Sequence, residues 1–149
     1  MILFLATLAA FLPTVPGATN PAVTQANIHS TICVSGWTKT VRPPTSYTNK
    51  LKLRQMSALG LTGDPHLYEE DHRVPIEDGG NPTDPANLYP EPWDGAYGAH
   101  RKDVLETKIK RLICAGTITL DAGRAVFLGD WTAGYRQYVG PFPPTEKTK

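Results

Sequence analysis

The stretch YEEDHRVPIEDGGNPTDPANLYPEPWDGAYGAHRKD, residues 68–103, decides the fold. Its prolines at 75, 82, 85, 90 and 92 forbid helix, and Gly79-Gly80 marks a tight reversal. Two short strands fit, near Leu67 to His72 and near Asn87 to Tyr89, joined by a long structured loop. A helical pattern then runs from about Ala96 to Ala115. Leu105, Ile109, Leu112 and Ile113 form its apolar stripe, Lys108, Lys110 and Arg111 lie toward its negative end, and Gly116 terminates it. The resulting order is strand, loop, strand, helix, which gives an α+β class.

The flanks add helices. Thr38 to Thr45, with Pro43 and Pro44, reads as an extended arm. Ser46 or Thr48 caps a helix to about Ala58, with Tyr47, Leu51, Gln55 and Leu59 at four-residue spacing and Gly60 as its stop. A third helix starts after Thr119 and carries Leu120, Val126, Phe127 and Trp131 inward. Trp37, Trp93 and Trp131 are expected as core anchors rather than base-stacking platforms. The chain's 149 residues suit one domain, and 13 Gly with 14 Pro make it loop-rich but folded.

The first 17 residues carry no charge and contain an apolar run from Ile2 to Leu12 that is too short to span a bilayer. Two readings stand: a secretory signal cut before Ala18, or a buried N-terminal segment, since a basic leader is missing. On the first reading, 1–17 is a signal peptide, 18–30 a flexible mature N-terminus, 31–138 the single domain and 139–149 a flexible tail. Only Cys33 and Cys114 remain, separated too widely for a CxxC zinc half-site. In an exported chain they suggest a disulfide; the alternative is two buried thiols.

With 15 basic and 14 acidic residues, the chain is no global polycation, so any polyanion binding must be local. Charge is nevertheless blocked out along the chain. Lys39 to Arg54 holds five basic residues and no acid, Asp64 to Asp94 holds nine acids against Arg73, and Arg101 to Arg111 returns five basic residues. A cation site flanked by phosphate-binding surfaces would need that layout, and solvated helix faces would also produce it.

Asp71-His72 followed by Pro75, then Gly79-Gly80, Asn87-Leu88, and His100 with Lys102 at a helix start resemble the HNH endonuclease motif in its ββα-metal fold. From TICVSGWTKTVRPP at 31–44 to the region of Trp131, the chain looks like small exported bacterial proteins of that superfamily. The resemblance implies a ββα-metal core with flanking helices, His72 as general base, Asp71 and His100 as ligands of one divalent metal ion, Mg2+ foremost, and Asn87 as the brace that orients the base. Arg73, Arg101 and Lys102, beside those ligands, are candidate phosphate clamps. The paired CxxC cysteines that often staple the motif are absent, and a Cys33–Cys114 bridge could supply that rigidity.

The chemistry needs those residue types. A phosphodiester is cut when water attacks phosphorus in line with the leaving 3′ oxygen, and imidazole titrates near neutrality, so its basic form is at hand. Neighbouring residues project from opposite faces of a regular strand, so the backbone must bend if Asp71 and His72 are to border one site. Glu70 is a candidate for supporting the ligands from behind. His66 is expected as a loop histidine, and His29 is given no role. The expected function is metal-dependent cleavage of DNA, with RNA a further candidate substrate, outside the cytoplasm with poor sequence selectivity; no protein partner is implied. The rivals are a non-catalytic exported module that binds nucleic acid or metal on the same fold, and a structural envelope protein in which the cluster merely braces a proline-rich loop.

Overall fold

A computed structural model describes residues 15–142. Two strands, β1 (Tyr68–His72) and β2 (Leu88–Pro92), pair antiparallel with Glu70 opposite Pro90 and His72 opposite Leu88. β2 thus runs through Pro90 and Pro92, three residues beyond the expected Tyr89. A two-stranded sheet leaves each strand one unpaired edge, where a missing N–H costs nothing. The connection contains two 3-10 turns, Ile76–Asp78 and Pro85–Asn87, so the prolines exclude α-helix but not these tighter turns.

The described residues form five α-helices, α1 (Trp37–Val41), α2 (Thr45–Ala58), α3 (Ala99–Cys114), α4 (Leu120–Leu128) and α5 (Trp131–Tyr138), of which α2 packs on both strands while α4 and α5 pack on α3 and on each other. The expected extended arm at Thr38–Thr45 is therefore corrected to a helical turn followed by an extended Arg42. The two prolines restrict themselves and residue 42, and leave Trp37–Val41 free. The single third helix is likewise corrected to two. Gly129 leaves helical geometry, and the Asp130 side chain accepts from the Thr132 N–H at 2.9 Å, starting α5 as an N-cap.

α2 is tied across the sheet by Lys52, whose Nζ donates to the Pro65 and Tyr68 carbonyls, and by Gln55, whose Nε2 donates to the Leu88 carbonyl at 2.8 Å. Its buried residues are Leu51 and Met56. α3 follows β2 and buries Leu105, Ile109 and Ile113 against Leu120 and Phe127 of α4. Trp37 and Trp131 pack on this core partly buried, whereas Trp93 lies outside it and sits against the His100 ring, tilted, with the ring centroids 5.2 Å apart.

The N-terminal residues close the core. The expectation of a flexible 18–30 segment is corrected: Val23, Ile28 and Ile32 are core residues, Thr19 bridges to Gly80, and the Asn20 N–H donates to the Gly79 carbonyl at 2.9 Å. These apolar side chains have nowhere else to hide from water. Of the expected signal segment, 1–14 lies outside the described residues, while the Gly17 N–H donates to the Ala86 carbonyl. Of the expected tail, 143–149 lies outside them, and Phe142 packs among Tyr97, Trp131 and Tyr135. Cys33 and Cys114 form a disulfide, which decides between the two readings of the cysteines. Among the described residues, no helix is long and apolar enough to cross a membrane.

Candidate active site

β1, the loop, β2 and α3 meet at the end of β1. Asn87 stands at the entry to β2, wholly buried, and uses its whole amide: Oδ1 accepts from the Ala18 and Val74 N–H groups, and Nδ2 donates to the Val74 and Asn81 carbonyls. It locks the two arms of the loop and the N-terminal segment at one point, the bracing role expected of it.

His72 is 3% exposed, and its Nε2 lies 2.9 Å from the Pro82 carbonyl oxygen. A carbonyl can only accept, so Nε2 carries the hydrogen and Nδ1 of the neutral ring keeps its lone pair. Burial holds the ring's pKa below the ordinary 6.5 despite the opposing pull of the Pro82 carbonyl and Asp71, so the ring is neutral at pH 7. Among the described residues, none hydrogen-bonds Nδ1. Asp71 and His72 both border one cavity of about 220 Å3, although β1 pairs through both of them in unbroken register. The Asp71 carboxylate turns along the backbone and accepts from the His72 N–H at 2.7 Å.

The remainder of Asp71 is taken by Lys102. This lysine, 1% exposed, donates to the Asp71 carboxylate and to the His72 carbonyl at 2.9 Å, and lies 3.1 Å from Glu106 and 3.4 Å from Glu91. Burial alone would favour the neutral amine, but the Asp71 carboxylate, foremost among the surrounding acids, holds its pKa well above the lysine range. Asp71 is in turn brought down to about 2, against its burial, by that ammonium and by a hydrogen bond with Glu91. Desolvation raises Glu91 to about 9 and Glu106 to about 8, so both are mostly protonated at neutral pH.

These positions settle the other expected residues. Lys102 as a phosphate clamp is corrected, because a buried ammonium facing three carboxyl groups cannot reach a substrate phosphate. Arg73 is corrected likewise: its Nη1 and Nη2 donate to the Val15 and Leu128 carbonyls. Arg101 donates to the Ala96 carbonyl and lies over the Phe142 ring, away from the cavity lining. His100, at the start of α3, is exposed; its Nδ1 lies 3.1 Å from Asp94, and it does not line the cavity that Asp71 and His72 share. Asp71 and His100 are therefore not presented as a ligand pair. Among the described residues, no group of three or more His, Cys, Asp or Glu side chains is placed to hold a metal ion. Glu70 is buried with neither carboxylate oxygen hydrogen-bonded among the described residues, and desolvation raises it to about 8, the state of a neutral acid.

Sequence reasoning missed Glu91, Glu106 and the cavity residues Arg42, Asp103 and Thr107. One signal was available: Lys102 precedes Leu105, Ile109 and Ile113 at spacings of three, four and four, which places a lysine on the buried stripe of α3. A charge there needs buried acid partners. No family model, no curated protein and no solved structure matches this chain.

Proposed function

We propose that this protein hydrolyses nucleic-acid phosphodiester bonds with little sequence selectivity, His72 acting as general base. The observation that supports it best is the neutral His72 ring on the cavity lining, whose Nε2–H is spent on the Pro82 carbonyl while Nδ1 has no hydrogen-bond partner among the described residues. In that reading Nδ1 takes a proton from water, the water oxygen bonds to phosphorus, and the P–O3′ bond breaks with the leaving oxygen protonated by solvent. Asn87 holds the loop that carries Pro82 close to β1, and so fixes the tautomer as well as the ring position. The ββα order, with His72 ending one strand, Asn87 entering the next and His100 opening the helix, supports the HNH reading of the core.

No step is assigned to a divalent ion, because Asp71 is bound to Lys102 and His100 stands outside the cavity. The same two facts favour a second reading, a non-catalytic nucleic-acid-binding module on this fold. The disulfide fits an extracytoplasmic setting, where such bonds persist. The deciding experiment incubates the oxidised protein with supercoiled plasmid, alone, with a panel of divalent metals, and with EDTA. Nicking by the wild type, its loss in His72→Ala, and an unchanged circular dichroism spectrum are expected. Binding without nicking under every metal selects the second reading, and EDTA-resistant nicking assigns the chemistry to protein groups alone.

A further inference from the structure

The three basic residues expected to grip phosphate are occupied elsewhere, which leaves open what holds a polyanion against His72. The cavity answers on one side. Arg42, at the C-terminal end of α1, borders it with His72, is exposed, and among the described residues has neither an ion pair nor a side-chain hydrogen bond. The cavity's acids do not cancel it. Asp71 is neutralised by Lys102, Glu77 pairs with Lys110 at 3.4 Å, and Glu106 is held mostly as the neutral acid. Only Asp103, at the rim and exposed, is left without an ion pair.

The other side is a neighbouring groove of about 510 Å3 that shares Asp103 and Thr107 with the cavity and is bordered by Lys108, Arg111 and Tyr138. Lys108 and Arg111 are exposed and likewise unpaired among the described residues. The cavity, at about 220 Å3, is smaller than the roughly 300–1,000 Å3 that encloses a whole small-molecule ligand. It suits one group of a polymer lying across its mouth. Arg42 and the Lys108–Arg111 pair come from different elements; Arg42 borders the cavity with His72, and the pair borders the adjoining part of the depression, joined to it at Asp103 and Thr107.

We propose that this depression is a phosphate track, in which Arg42 anchors the backbone phosphate next to His72 while Lys108 and Arg111 hold phosphates further along α3. Such contacts carry no base information and are read by salt dependence. The proposal deepens the nuclease reading, yet its test is one of binding. In the His72→Ala background, which prevents cleavage, affinity for a fluorescent 20-base-pair duplex is measured by anisotropy across a salt series. The slope of log affinity against log salt should fall by about 0.9 in Arg42→Ala and about 1.8 in Lys108→Ala/Arg111→Ala. Lys50→Ala/Arg54→Ala, an exposed pair on α2, should leave it unchanged. Unchanged slopes in the track variants, an equal fall in the α2 pair, or no duplex binding at low salt would each overturn the track. A track that behaves as expected in a protein that never nicks plasmid would instead overturn the nuclease reading alone.

Discussion

At the scale of single residues, two buried groups set the chemistry of the end of β1, and each carries a pH signature. As the proposed general base, His72 would work only as the neutral ring, so activity should be lost as pH falls through its folded pKa, which burial holds below 6.5. The acid limb of kcat/KM should therefore have its midpoint below pH 6.5, measured by nicking rates from pH 4.5 to 8; a midpoint above 6.5 would contradict the environment described for the ring. Lys102 is the second group. Removing one partner of a buried ion cluster strands the others, at about 3–5 kcal/mol. Lys102→Met preserves bulk but leaves Asp71, Glu91 and Glu106 together, and the carboxyl groups must then stay protonated in the fold. A carboxyl with a raised folded pKa binds more protons folded than unfolded, so stability falls as pH rises above the ordinary carboxylate range. Urea titrations should show Lys102→Met weakened by about 3–5 kcal/mol at pH 8 and regaining part of that at pH 5. Equal loss at both pH values would mean that Lys102 acts through packing alone.

At the scale of elements, the β1–β2 connection rests on Gly80 rather than on its prolines. Gly79 supplies the left-handed turn, with φ +81, and the Gly80 N–H donates to the Pro75 carbonyl at 2.8 Å. A Cβ on Gly80 would overlap the Val74 carbonyl oxygen, a backbone atom that cannot rotate away. Gly80→Ala should thus cost about 1–3 kcal/mol, the range for forced overpacking, and should also lower nicking, because the same loop carries Pro82 to His72. Thermal melts beside plasmid assays would check this; a wild-type melt would show that the loop yields freely. The Gly79-Gly80 pair announced this reversal in the sequence, and the stripe of Leu105, Ile109 and Ile113 announced α3, because each signal is local. What stayed hidden depends on distant partners. Arg73 looked like a free cation beside the motif, and only the approach of Val15 and Leu128 shows its guanidinium to be occupied. Arg42 looked like part of an extended arm, and only the docking of α1 brings it to His72. Asn87 was legible because its role is the same wherever the loop must be held: an amide that both donates and accepts.

At the scale of the whole molecule, the core is assembled from pieces far apart in the chain. Val23, Ile28 and Ile32 come from before α1; Leu105, Ile109 and Ile113 come from α3; Leu120 and Phe127 follow it. The Cys33–Cys114 bond, with its partners 81 positions apart, encloses α1, α2, both strands and α3, and so ties the N-terminal core residues to the last turn of the helix that carries Lys102. Chain-entropy reasoning gives a loop of that length about 4 kcal/mol, by restricting the unfolded chain rather than by improving folded contacts. Because the effect lies mainly in the unfolded state, Cys33→Ser/Cys114→Ser should keep the native circular dichroism at 25 °C while melting on the order of 10 °C lower. Reduction should shift the wild type to the same melting temperature and leave the double variant unmoved. Nicking at 25 °C should survive in the double variant, since neither cysteine lines the cavity that holds His72. Wild-type melting that is indifferent to reductant would show that the core alone carries this fold, whereas loss of nicking with the fold intact would place the bond in control of the site.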